Sequence, residues 1–163
     1  MMDSAESETK RIGSVLFVCL GNICRSPLAE GIFRHQLHQV ERLEAFRLDS
    51  AGTGGWHAGD PPDPRSIAVA RSHGIDISQQ SARQIVAADF QQFDLILAMD
   101  RSNEATLKAR APLAAQGRIR LFLDHTLGIR ADVPDPYHDA ADGFEAVYRM
   151  LDQGCSALLR NLA

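Results

Sequence analysis

Residues 14–20, SVLFVCL, form a continuous apolar run rich in large and β-branched side chains. Such a run offers no polar face to water, so it reads as a strand buried on both faces, the signature of a parallel sheet. It stops at Gly21-Asn22, a turn signal, and Ser26-Pro27 follows. Proline is favoured at a first helical position, where its missing N–H costs nothing. From Leu28 the apolar residues Leu28, Ile32, Phe33, Leu37 and Val40 recur at helical spacing, and Arg34, His35, His38 and Glu41 fall on the opposite face. A buried strand that turns straight into an amphipathic helix restricts the chain to an α/β architecture.

The rest of the chain repeats that alternation. FRLDSAG (46–52) predicts a second, shorter strand ending in a glycine-rich loop, and a helix is expected over 65–73 with a stop at Gly74. A helical piece at 87–92 leads into FDLILAM (93–99), a third strand. Asp100 to Glu104 open a helix that ends near Pro112, and RLFL (120–123) predicts a fourth strand. Residues 124–142 then predict a long polar loop carrying aspartates 124, 132, 135, 139 and 142. The last helix places Phe144, Val147, Tyr148, Leu151, Cys155 and Leu158 on one stripe. No internal repeat or second domain is visible, so 13–163 reads as one domain behind a flexible, charged lead-in of 1–12. In such sheets ligands bind outside the carboxyl ends of the strands, which directs attention to the loops after strands one, two and four.

Composition narrows the function. Seventeen Lys+Arg against twenty-one Asp+Glu give a net charge of -4, a poor match to nucleic acid or to a polybasic membrane contact. No apolar run approaches a membrane span, and the polar N-terminus lacks the apolar core of a secretory signal. Cys19, Cys24 and Cys155 make no disulfide framework. A cytoplasmic protein with reduced thiols is expected. His35 and His38 lie on a polar helix face without a cysteine or carboxylate at metal spacing, so no metal or cofactor is expected.

Cys19 and Arg25 stand in C-x5-R spacing across the turn from strand to helix. The N–H groups of such a loop can converge on a tetrahedral anion, with the helix N-terminus behind them. A cysteine among those donors has its thiolate stabilised, and an arginine can fork two N–H bonds onto phosphoryl oxygens. Gly21 and Asn22 are the residue types that best tolerate the positive φ of a tight ring. The spacing alone leaves open an inert buried cysteine; the buried strand before it and the helix after it favour oxyanion chemistry. No nucleotide P-loop sequence occurs, and the 52–57 stretch has His57 where a dinucleotide fingerprint needs its third glycine. Asp135, stiffened between Pro134 and Pro136 and followed by Tyr137, is the leading proton donor; starting a turn is its other reading. Trp56, in a polar glycine-rich stretch, is either core or a wall facing a substrate.

VCLGNICRSPLAEG (18–31), SAGTGGWHAG (50–59), HGI (73–75), AMDRSN (98–103) and DPY (135–137) together resemble the low-molecular-weight protein tyrosine phosphatases. The resemblance runs in order over about 14–160. It implies a four-stranded parallel sheet with helices on both faces in a flavodoxin-like topology. It also implies metal-independent hydrolysis of phosphotyrosine through a phosphocysteine. Position by position, Cys19 corresponds to the nucleophile, Arg25 to the phosphoryl clamp and Asp135 to the general acid and then base. The main chain of 20–25 corresponds to the phosphate cradle, and Ser26 to the hydroxyl that stabilises the thiolate. Asn22, Ser50 and His73 correspond to the polar network holding the loop. Leu20, Ile23, Trp56 and Tyr137 correspond to the walls around the phenol ring, and Cys24 to a redox partner of the nucleophile. The implied partner is a phosphotyrosyl protein, with a tyrosine kinase as a family-level candidate. His138 departs from relatives that carry a second aromatic residue there, and the lead-in has no counterpart in the shortest ones.

Two relatives in chemistry are weaker matches. An arsenate reductase of the same fold needs further cysteines on a mobile segment, and 82–89 contains none. A phosphocysteine carrier has no use for Arg25 and Asp135 together.

Overall fold

In the computed structural model, which describes residues 11–162, strand β1 (Ser14–Cys19) is buried along its whole length. Its side chains alternate between two separate apolar clusters. Val15, Phe17 and Cys19 enter one; Leu16 and Val18 enter the other. β1 can supply both because it is an inner strand of an all-parallel sheet ordered β2-β1-β3-β4, with β2 Arg47–Gly52, β3 Leu95–Ala98 and β4 Ile119–Leu121. The expected lead-in of 1–12 lies, apart from its last two residues, outside the described residues.

Helices cover both faces. The larger cluster packs α1 (Arg25–Gln39), α2 (Pro64–Ser72) and α6 (Ala141–Asn161) against one side. Short α3 (Asp89–Gln92), α4 (Arg101–Arg110) and a 3-10 turn at Leu113–Arg118 close the other. The stripe expected on the last helix is all buried: Phe144, Val147, Tyr148, Leu151, Cys155 and Leu158. Capping follows local chemistry. The Asp63 carboxylate accepts from the Arg65 N–H at the start of α2, and the Asp100 carboxylate accepts from the Asn103 N–H at the start of α4. Gly74, just past α2, has φ +82°, the left-handed stop its sequence position suggested. Pro27 sits at the third position of α1 rather than the first, still within the turn whose N–H groups lack helical partners.

One expected strand is shorter and one loop is interrupted. β4 ends at Leu121, and Phe122–Leu127 form a helix, α5, closed by Gly128 at φ +71°. Periodicity cannot separate a short apolar run in a strand from one in a helix. Tertiary packing decides it here: Phe122 is fully buried beside Phe17, ring centroids 6.5 Å apart. A Cβ on Gly154 of α6 would come within 2.5 Å of the Phe122 ring, so α5 and α6 approach closely only because that residue is glycine.

The strand order reverses direction between β1 and β3, since β1 leads outward to β2 and β3 leads the other way to β4. The crevice at the carboxyl ends of β1 and β3 is therefore the place this fold offers a ligand.

Candidate active site

The loop between β1 and α1 occupies that crevice, and its shape is held from below. Asn22 takes φ +58° and is 2% exposed. Its side-chain amide donates to Ser26 Oγ (2.7 Å) and to Ser50 Oγ (3.0 Å) on β2, and its Oδ1 accepts the Arg83 N–H (2.9 Å). A buried asparagine so fully engaged stabilises a conformation that an ordinary side chain avoids. Gly52, at the end of β2, lies against the same loop, and a Cβ there would meet Leu20 O at 2.8 Å and Gly54 O at 2.9 Å. Gly21 does not share the positive φ expected of it. A Cβ there would meet the His57 ring at 3.1 Å, a tight contact with a part-exposed side chain. The N–H groups of Gly21, Asn22, Ile23 and Cys24 donate to no carbonyl among the described residues. They lie ahead of α1, where a helix N-terminus favours negative charge.

Cys19 Sγ lies 3.0 Å from Ser26 Oγ, at the floor of the loop. Arg25 is buried under it. Its Nη1 donates to Asp100 Oδ2 (2.7 Å) and to the Val133 carbonyl (2.9 Å), while Nη2 stands 3.7 Å from Asp135 Oδ2. Burial alone would pull the guanidinium down, but Cys19, Asp100 and Asp135 together push it above its ordinary value. Arg25 Nε is buried with no hydrogen-bond partner among the described residues, which suits a tetrahedral anion seated on this side of the guanidinium. Cys24 faces the opposite electrostatics. Burial, then the negative charges of Asp63, Cys19 and Asp135, push its thiol up to about 12.

Above the loop opens a cleft of about 210 Å³ lined by Cys19, Leu20, Gly21, Ile23, Cys24, Arg25, Trp56, His57, Asp135, Tyr137 and His138. Trp56 (73% exposed) and Tyr137 (41%) are its aromatic lips, so the core reading of Trp56 does not hold. Every residue expected at the phosphate, at the acid position or on the walls meets here, except that the Asn22 side chain turns down into the loop's support. Ser26 lies beside Cys19, and Ser50 beside the Asn22 amide.

His73 does not join them. It caps the end of α2, binds Glu145 at 3.0 Å and stacks on Tyr148 with ring centroids 3.8 Å apart. That pairing ties α2 to α6 and makes no contact with Asn22 or Ser50. The third partner of Asn22 is the Arg83 main chain, which no side-chain motif could reveal. Asp100 and Val133, which aim Arg25, and His57 and His138, which line the cleft, also went unassigned in the sequence. Asp100 carried a signal, since it follows β3 at the switch point.

Among the described residues no group of three or more histidine, cysteine, aspartate or glutamate side chains is placed to hold a metal ion, and no helix is long and apolar enough to cross a membrane.

A doubly covered parallel sheet with a donor-rich loop and a buried arginine at its switch point, opening through aromatic lips, offers a binding site for a tetrahedral oxyanion attached to an apolar group. The sequence matches the family described as low molecular weight phosphotyrosine protein phosphatase over residues 14–163. It is 40% identical over 157 residues to the Schizosaccharomyces pombe low molecular weight phosphotyrosine protein phosphatase, covering 95% of this chain and 99% of that one. It is 44% identical over 151 residues to the low molecular weight protein-tyrosine-phosphatase YfkJ of Bacillus subtilis, covering 91% and 95%. A crystal structure of a protein tyrosine phosphatase from Entamoeba histolytica superposes with a TM-score of 0.88 at 37% identity, covering 92% of this chain and 96% of that one. The chain belongs to the low molecular weight phosphotyrosine protein phosphatase family and is a protein-tyrosine-phosphatase.

Proposed function

We propose that this enzyme hydrolyses phosphotyrosine in proteins through a phosphocysteine on Cys19, without a metal, in the cytoplasm, 13–163 forming its single phosphatase domain. The observation that carries the reading is the convergence on one cleft of Cys19 and Arg25, from the two ends of the loop after β1, with Asp135, from a segment more than a hundred residues away. The Cys19 thiolate, accepting from Ser26 Oγ, attacks phosphorus in line with the leaving phenol. The P–O bond breaks as the Asp135 carboxyl delivers its proton to the departing oxygen. Arg25 and the loop N–H groups bind the equatorial oxygens, whose charge is spread in a loose transition state. Asp135, now a carboxylate, takes a proton from water that attacks the phosphocysteine; the P–S bond breaks and phosphate and thiolate are regenerated.

Leu20, Ile23, Trp56 and Tyr137 form an apolar slot suited to a phenol ring. The natural substrate is a phosphotyrosyl protein, a tyrosine kinase among the candidates. Cys24 stays a thiol at neutral pH and serves as the partner for a reversible disulfide when Cys19 is oxidised.

Hydrolysis of p-nitrophenyl phosphate in EDTA, wild type beside Cys19→Ser, tests the reading. Turnover that persists in EDTA and vanishes in the variant is expected. Equal turnover by Cys19→Ser, or loss of wild-type turnover in EDTA that added metal restores, would overturn it.

A further inference from the structure

Residues 137–139, which follow Asp135, are tied to the start of α2 by a side chain outside the cleft. Arg65, at the start of α2, makes four side-chain hydrogen bonds. Two go to the Asp63 carboxylate, Nε to Oδ1 at 3.0 Å and Nη2 to Oδ2 at 2.9 Å. The other two reach across to the main chain of the acid loop, Nη2 to Tyr137 O at 2.8 Å and Nη1 to Asp139 O at 3.1 Å. Its guanidinium also lies over the rings of Phe144, at 4.5 Å, and Tyr137, at 5.7 Å.

Both ends of this bridge continue into the site. The Asp63 N–H donates to the Ile23 carbonyl of the loop below the cleft (2.8 Å). The Tyr137 N–H donates to Asp135 Oδ1 (3.1 Å). A chain of hydrogen bonds thus runs Ile23–Asp63–Arg65–Tyr137–Asp135, from the anion loop to the carboxylate.

We propose that Arg65 is a positioning residue for the proton transfer: it fixes the height of Asp135 over the anion loop by clamping residues 137–139 to Asp63. The inference rests on Asp135 being the proton donor. Planarity matters more than charge, because only a fork can hold a carboxylate and two carbonyls at once. Misplacing a catalytic group by an ångström costs up to about 100-fold. The loss should depend on the leaving group, since a poor leaving group needs the proton most.

The experiment compares kcat/KM, which reports the steps through cleavage of the P–O bond, for phenyl phosphate and p-nitrophenyl phosphate in wild type, Arg65→Gln, Arg65→Lys, Asp135→Asn and the Arg65→Gln/Asp135→Asn double variant, with the affinity for inorganic phosphate measured alongside. Arg65→Gln should lower kcat/KM on phenyl phosphate about 10-fold or more and on p-nitrophenyl phosphate distinctly less, with phosphate affinity unchanged. Arg65→Lys should behave as Arg65→Gln does, and in the Asp135→Asn background the Arg65 substitution should have no further effect. Equal losses on both substrates, full rescue by lysine, or an undiminished effect in the double variant would overturn the proposal. Failure of the parent reading looks different: Asp135→Asn itself would keep near-normal turnover on both substrates.

Discussion

The two halves of the active site are built by opposite means. The anion loop sits on an inner strand, with Asn22 2% exposed and the Arg25 side chain 3% exposed. Ser26, Ser50, Arg83 and Gly52 constrain it from several elements at once. The acid loop is a stretch of irregular chain after α5, and its Asp135 side chain is 45% exposed. It reaches the site through the Val133 carbonyl on Arg25, a Val133 N–H bond to Met99, and the Arg65 clamp. The difference suits the two tasks proposed for them. Binding a dianion needs donors fixed before it arrives, because reorganising them would consume the stabilisation they provide. Delivering a proton needs one oxygen in reach, and admitting a bulky protein substrate requires that side of the cleft to be open.

The sharpest way to probe the contrast is on the acid side. Asp135→Asn keeps the shape of the carboxylate and removes its proton, so kcat should fall about 10²–10⁴-fold while inorganic phosphate still binds. A fall in phosphate affinity of similar size would mean that the two halves are not separable. On the anion side, Asn22→Ala removes three side-chain hydrogen bonds, two of them buried, and leaves a positive φ on a side chain that resists it. A 10- to 100-fold loss of kcat/KM and a clear loss of phosphate affinity are expected, measured by steady-state kinetics and titration.

Chemical labelling should divide the two cysteines. Both line the cleft, so access does not separate them; at neutral pH iodoacetamide should modify Cys19 and spare Cys24, whose thiol is pushed up to about 12. Peptide mapping after partial inactivation checks it; equal labelling would break the assignment.

The smallest effect is on stability. The hydrogen bonds from Arg65 hold Asp63 below the usual carboxylate range. A carboxylate whose folded pKa is depressed stabilises the fold above its unfolded pKa, and that contribution is lost as pH falls through the folded value. Wild type should therefore lose more thermal stability than Asp63→Asn between about pH 5 and pH 2. Parallel acid limbs would show that the clamp adds nothing to the fold.

Much of the anion half was legible because it is local. The apolar run of β1, the C-x5-R spacing and the amphipathic α1 are contiguous, and Cys19, Asn22, Arg25 and Ser26 all fall within eight residues. Where the reading relied on distant contacts it was less complete. His73 was expected beneath the loop, but it lies where α2 meets α6, paired with Glu145 and Tyr148. The partner it was expected to be is a main-chain N–H at Arg83, and a backbone donor leaves no mark in the residue types. RLFL was expected as a strand throughout, and Phe122 and Leu123 turned into α5 because the core beside Phe17 and Gly154 accepts the ring there.

The sequence by itself determined the class of fold, through the periodicity of its apolar runs, and named Cys19, Arg25 and Asp135 as candidates, the first two by C-x5-R spacing next to a buried strand and the last on the strength of the family resemblance. Only the tertiary structure decided how Asp135 meets Arg25, which main-chain groups support Asn22, and that Arg65 joins the two loops. Those contacts link residues 61 to 110 positions apart, and their strength comes from burial and hydrogen-bond geometry that exist only after the sheet has formed.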